Sequence, residues 1–221
     1  MAINLVKGQR LEIGLSKLVV EMGWKVNPNA QPPYDLDAST FLLRDNGEIG
    51  AEEDFVFYGS HKTIDTPDGK RPISDDGSVL GSVDDLGTDD DSTGEGNEKI
   101  DVDLSNTSPL IDQIIFTASI YWLPSDENTF YIDERTGHKF PNKPRLKYNF
   151  GQVRNAYILI KDANTGDIIC RYDLDEDFST DKGVEFGRLY RRNGAWKFEA
   201  VGIPYKDGLE PICRKYASKF M

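Results

Sequence analysis

The chain has 221 residues, 38% hydrophobic and 11% aromatic, enough apolar material for a real core. A formal net charge of −12 argues against nucleic acid, whose binding rests on Lys and Arg neutralising phosphates, and against unaided adhesion to anionic lipid. No apolar run approaches the roughly 18–20 residues of a membrane span, and MAINLVKGQRLEIGL lacks a signal-peptide apolar region and cleavage site, so a cytoplasmic location is expected.

In chain order, alternating apolar and polar residues predict strands at Leu11–Leu15 and Lys17–Trp24, then at Asp37–Leu43, Asp54–Tyr58 and Ile100–Leu104. Further strands are expected at Gln113–Trp122, Ala156–Lys161, Asp167–Asp173, Glu185–Arg191 and Trp196–Val201. Asn193-Gly194 between the last two is a hairpin signal, because a tight turn needs positive φ at both positions. Asp162–Gly166, DANTG, is a second turn of similar kind. Leu209–Phe220 has Leu209, Ile212, Cys213 and Tyr216 at helical spacing and predicts one short helix. Two stretches break the rhythm, about 59–87 and about 124–147, both polar and rich in Pro or Gly. They read as insertions on one scaffold, since the strands beside them are too few for a separate core. The expected fold is all-β: an antiparallel β-sandwich with two long loop insertions and a short C-terminal helix, as one domain over 1–221.

The cysteines, Cys170 and Cys213, make no metal motif and no disulfide framework. Free thiols are expected, with Cys170 in the core and Cys213, near the C-terminus, open to exposure. His61 and His138, the two histidines, fall in the insertions and read as solvated side chains.

The most informative stretch is Asp84–Glu98, DDLGTDDDSTGEGNE. It carries Asp84, Asp85, Asp89, Asp90, Asp91, Glu95 and Glu98 with no Lys or Arg, and three glycines. Carboxylates packed without counter-charge repel, and a hard cation with roughly 6–8 oxygen ligands removes that cost. Glycine lets the loop fold back so that oxygens converge. The bland reading is a solvated acidic loop. The stretch does not fit the EF-hand pattern, and Asp173-Leu174-Asp175-Glu176-Asp177 fails it at Phe178. The second half of a site is expected at Asp35-Leu36-Asp37, where two carboxylates leave one face of an extended chain and Leu36 points to the core. Asp101 and Asp103 alternate with Val102 and Leu104 and read as ordinary half-buried strand.

At these residues the chain resembles the TerD family of tellurite-resistance and stress-response proteins. The resemblance runs through INLVKGQRLEIGLSKL, YDLDAS, DFVFYG, DGSV and TGEG. It resumes in FGQVRNAYI (150–158), YDLDEDFST (172–180) and GRLYRRNGAWKFEAVG (187–202). It covers most of the chain outside the insertions. It implies a β-sandwich that holds one or two calcium ions (Ca2+) with the Asp-Leu-Asp motif and an acidic, glycine-rich loop. The implied ligands are Asp35, Asp37, Asp90 and Asp91, with Thr93 in register, Asp84 and Asp85 as an alternative match, and Glu98 downstream. Fewer acids follow Gly96 than is usual for the family. Asp76→Ala, outside this set, is expected to be neutral.

The function implied is a calcium-binding, noncatalytic stress protein acting as scaffold or sensor. Its partners would be other tellurite-resistance or stress proteins, with a membrane as one place of assembly and no nucleic acid or small-molecule substrate. The alternatives are a metal-dependent hydrolase, which needs an open coordination position and a base, and an accessory protein of a phage particle.

Overall fold

A computed structural model of the chain describes residues 2–25, 35–83, 95–121, 130–132, 139–141, 148–174 and 178–221. Strands are numbered in chain order. One six-stranded sheet has the order β1 (Ile3–Leu5), β14 (Ile168–Asp173), β13 (Arg154–Asp162), β3 (Lys17–Lys25), β9 (Glu95–Asp103), β8 (Val79–Leu80). The other has the order β2 (Arg10–Ile13), β16 (Ala195–Tyr205), β15 (Gly183–Arg192), β10 (Gln113–Tyr121), β4 (Asp35–Leu43), β5 (Phe55–Val56). Neighbours are antiparallel except β1 and β14, which run parallel.

The period-2 pattern explains the layering. In β3, Leu18, Val20, Met22 and Trp24 are buried, and in β9 so are Ile100 and Val102. They share one core with Leu36, Ala38 and Leu42 of β4 and Ile114, Phe116, Ala118 and Ile120 of β10. The two inner faces therefore close on each other as a sandwich. The outer face of the second sheet is covered as well. Phe41, Leu43, Phe55, Phe57 and Ile115 pack with Leu209, Ile212, Cys213 and Tyr216 of helix α1 (Leu209–Tyr216). Those four helix residues are the ones its spacing assigns to a buried face. A buried carboxylate helps fix the helix: Glu185 accepts from Tyr216 Oη at 2.7 Å, Tyr205 Oη at 3.1 Å and Lys215 Nζ at 3.2 Å.

The turn chemistry holds. Asn193 and Gly194 have φ of 54° and 79°, and the flanking Arg192 and Ala195 pair. Three features differ from expectation. Both insertions carry hairpins: β6 (Thr63–Thr66) with β7 (Gly69–Pro72), and β11 (Phe130–Ile132) with β12 (Lys139–Pro141). The helix stops at Tyr216, and a separate 3-10 turn spans Ser218–Phe220. Cys213 is 1% exposed, because it stands on the inner face of α1. Among the described residues no helix is long and apolar enough to cross a membrane.

Candidate metal centre

Strand β4 pairs with β10 along its whole length, Asp35 opposite Tyr121 and Asp37 opposite Ser119. On its other side it pairs with β5 at Thr40 and Phe41. No ladder on that side is assigned to Asp35–Ala38 among the described residues, so backbone groups there need other partners. The Ala38 N–H finds one in the first sheet, donating to Glu98 Oε2 at 3.0 Å. Glu98 stands on β9 in the same alternation as Ile100 and Val102, so its carboxylate enters the gap between the sheets.

Asp37 and Glu98 are 4% and 7% exposed. Both line one cavity of about 10 Å³, shared with Gly81, Ser82 and Val83. That is room for a single water-sized species. Two buried acidic residues from two sheets thus line one small space, and the group each carries, a carboxylate, is of the donor type a hard cation takes. The donor set fits calcium in kind. Two carboxylates fall short of the number of ligands calcium takes, and among the described residues no three His, Cys, Asp or Glu side chains converge to hold a metal.

The expected ligands therefore divide. Asp37 and Glu98 are brought together. Asp35 begins β4 two positions earlier, at the same end of the sandwich. Asp84, Asp85, Asp90, Asp91 and Thr93 lie outside the described residues. The stems on either side of them do not: Val83 lines the cavity, and Glu95, opposite Lys25, opens β9. Asp173, opposite Tyr157 near the start of β13, receives a two-pronged Arg171 fork, Nη2 to Oδ1 at 2.6 Å and Nε to Oδ2 at 3.1 Å. Glu176, Asp177 and His138 are outside the described residues.

The other acids have ordinary structural work. Asp101 pairs with Arg71 Nη1 at 2.7 Å, and Asp103 with Lys17 Nζ at 3.3 Å. The Ser105 hydroxyl and Lys17 hold the Asp103 carboxyl below its usual range. Asp76 corrects an expectation: it is built into a turn. Its Oδ1 accepts from Ser74 Oγ at 2.8 Å and Ser78 N at 2.9 Å, and its Oδ2 from Ser108 N at 2.8 Å. A neutral Asp76→Ala is incompatible with those bonds.

Arg71 carries no signal in sequence, yet it stands at the neck of the acidic stretch. Its Nε donates to Gly81 O at 2.6 Å, and its Nη2 to Leu80 O and Lys99 O, each at 3.2 Å. The hairpin that presents it leaves one trace in the sequence, the turn residues Pro67-Asp68-Gly69 in a stretch that otherwise reads as a loop. Both cysteines are free and buried. Burial pushes the Cys170 thiol up to about 12, and Cys213 is pushed up by the same cause.

The TerD domain sequence profile matches residues 1–132 and 141–216. General stress protein 16U of Bacillus subtilis (strain 168) is 35% identical over 223 residues, covering 98% of this chain and 97% of that protein. Tellurium resistance protein TerD of Alcaligenes sp is 33% identical over 225 residues, covering 98% of this chain and 97% of the relative. Among solved structures, a homologue of telluride resistance protein (TerD) from Streptomyces coelicolor A3(2) superposes with a TM-score of 0.58 at 16% identity. That superposition covers 93% of this chain and 98% of the other, and it speaks for the fold alone.

Proposed function

From the premise that this chain belongs to the TerD domain family of tellurium-resistance and stress-response proteins, we propose that it binds calcium at one end of its sandwich and acts without catalysis, as a scaffold or sensor. The observation that carries this reading is the meeting of Asp37 and Glu98, from opposite sheets, at one cavity beside the stems of the acidic stretch. Asp37 and Glu98 would hold the ion with Asp35, with Asp90 and Asp91, and with Thr93. Asp84 and Asp85 would serve a second ion or replace the Asp90 and Asp91 pair. The bound cation would supply charge neutralisation and a fixed geometry for the loop. The whole chain, 1–221, is read as one such unit in the cytoplasm, where its two free thiols are at home. Partners of the stress or tellurite-resistance type would then meet a surface that calcium has ordered.

Thermal unfolding tests this directly. A ligand that binds only the folded state adds about 2.7 kcal/mol at a hundredfold excess over Kd. Millimolar calcium should raise the melting temperature by several degrees over chelator. Magnesium should do less, because it demands near-octahedral geometry and keeps its waters. A melting curve identical in calcium and chelator refutes the reading.

A further inference from the structure

Arg71 lies in β7, in the hairpin of the first insertion, and its guanidinium is engaged on every nitrogen. Nε and Nη2 hold the carbonyls of Gly81 and Leu80, Nη2 also holds the carbonyl of Lys99, and Nη1 pairs with Asp101. Its side chain is 13% exposed. One planar fork thus ties two stretches of chain. Residues 80–81 lead into Ser82 and Val83 on the cavity wall, and residues 99–101 follow Glu98 directly. The hairpin itself is pressed against the same wall. Gly81 N–H donates to Pro72 O at 2.8 Å, and a Cβ on Gly81 would stand 2.7 Å from the Pro72 ring and 2.9 Å from Val56.

We propose that Arg71 is a positioning residue of the cation site, fixing the two stems between which Glu98 and the cavity wall are held without itself touching the ion. This rests on the calcium reading above. The chemistry selects arginine. A rigid fork reaches three carbonyls and a carboxylate together, whereas a lysine ammonium is a point charge on a flexible stem. Asp101 neutralises the guanidinium, so that the clamp does not oppose a cation bound nearby. Residues that orient metal ligands from behind typically matter 10–100-fold to affinity.

Calorimetric calcium titrations of the full chain decide it, run on wild type, Arg71→Lys, Arg71→Ala and Arg188→Ala, each well below its own melting temperature in chelator. Arg188 is the control. Its fork engages Glu199 and Gln113 in the other sheet. Arg71→Ala should bind calcium at least about tenfold more weakly, with Arg71→Lys between it and wild type. Arg188→Ala should keep wild-type affinity while melting lower. Wild-type affinity in Arg71→Ala overturns the assignment, as does an equal loss in Arg188→Ala, which would mark a general effect of destabilisation. Should Arg71→Ala fail to fold, the Arg71→Lys titration decides alone. A wild type that takes up no calcium removes the calcium reading itself, and the role of Arg71 with it.

Discussion

Asp76→Ala should cost the fold about 3 kcal/mol. Three donors converge on this carboxylate: Ser108 N at 2.8 Å, Ser74 Oγ at 2.8 Å and Ser78 N at 2.9 Å. Ser74 and Ser78 are 0% and 2% exposed, so water cannot replace the lost acceptor at that turn. Each hydrogen bond to a charged group contributes about 1.5–3 kcal/mol, and three bonds to one carboxylate do not add in full. Burial pushes the Asp76 carboxyl up, but the Ser108, Ser78 and Ser74 bonds outweigh it, and the net shift is downward. A depressed folded value means the contribution is complete above the ordinary carboxylate range of about 4 and is lost as pH falls through the folded value. Urea unfolding followed by tryptophan fluorescence reads the difference, provided the slopes of variant and wild type agree. The gap should be largest at neutral pH and shrink in acid. Asp76→Asn, which keeps the shape and loses the charge, should fall between. A change below about 0.5 kcal/mol at neutral pH, the level of an unremarkable surface substitution, would refute the reasoning. So would a gap that widens in acid.

Gly23→Ala should lower stability by about 1–3 kcal/mol, an overpacking cost. The new Cβ would stand 2.3 Å from Tyr157 Cζ, and Arg171 caps that ring at 3.9 Å. An unchanged melting temperature would show that the ring swings aside freely. Both cysteines should resist an aromatic disulfide reagent in the native protein at neutral pH and react once urea unfolds it. Burial keeps the Cys170 thiol protonated up to about 12 and raises that of Cys213, while the thiolate is the reactive form. With the thiols so held, purified protein given tellurite and a thiol or nicotinamide donor should reduce it no faster than the donor alone. A faster rate, lost in Cys170→Ser/Cys213→Ser, would contradict a noncatalytic role.

The strands were legible because two sheets facing each other impose a simple alternation. The run from Lys17 to Trp24 shows it in Leu18, Val20, Met22 and Trp24, which all face the core, although Glu21 and Gly23 between them are buried as well. The helix was legible from Leu209, Ile212, Cys213 and Tyr216 for the matching reason at a period of 3.6. Position near the chain end suggests an exposed Cys213, but the same helical spacing puts it on the buried face. Strand β1 was missed because three residues at a parallel edge carry too little pattern. The first hairpin leaves little trace because Thr63, Ile64 and Asp65 are exposed and only the turn residues Pro67-Asp68-Gly69 mark it. Of the residues that line the cavity, Asp37 was legible as a candidate from its spacing and Glu98 from its place after the glycines. Their meeting was not, since it depends on a backbone N–H at Ala38 reaching across the sandwich. Nor was the Arg71 clamp, whose three carbonyl partners leave no trace in residue identity.

Equilibrium dialysis against radioactive calcium tests the central claim most directly, on wild type and on Asp37→Ala with its apo fold checked by circular dichroism. Saturable binding of one or two ions by wild type, weakened at least about tenfold in Asp37→Ala, is the result expected when a ligand is removed from a hard-cation site. No retention by wild type, or full affinity in Asp37→Ala, would contradict a calcium site built from these two sheets.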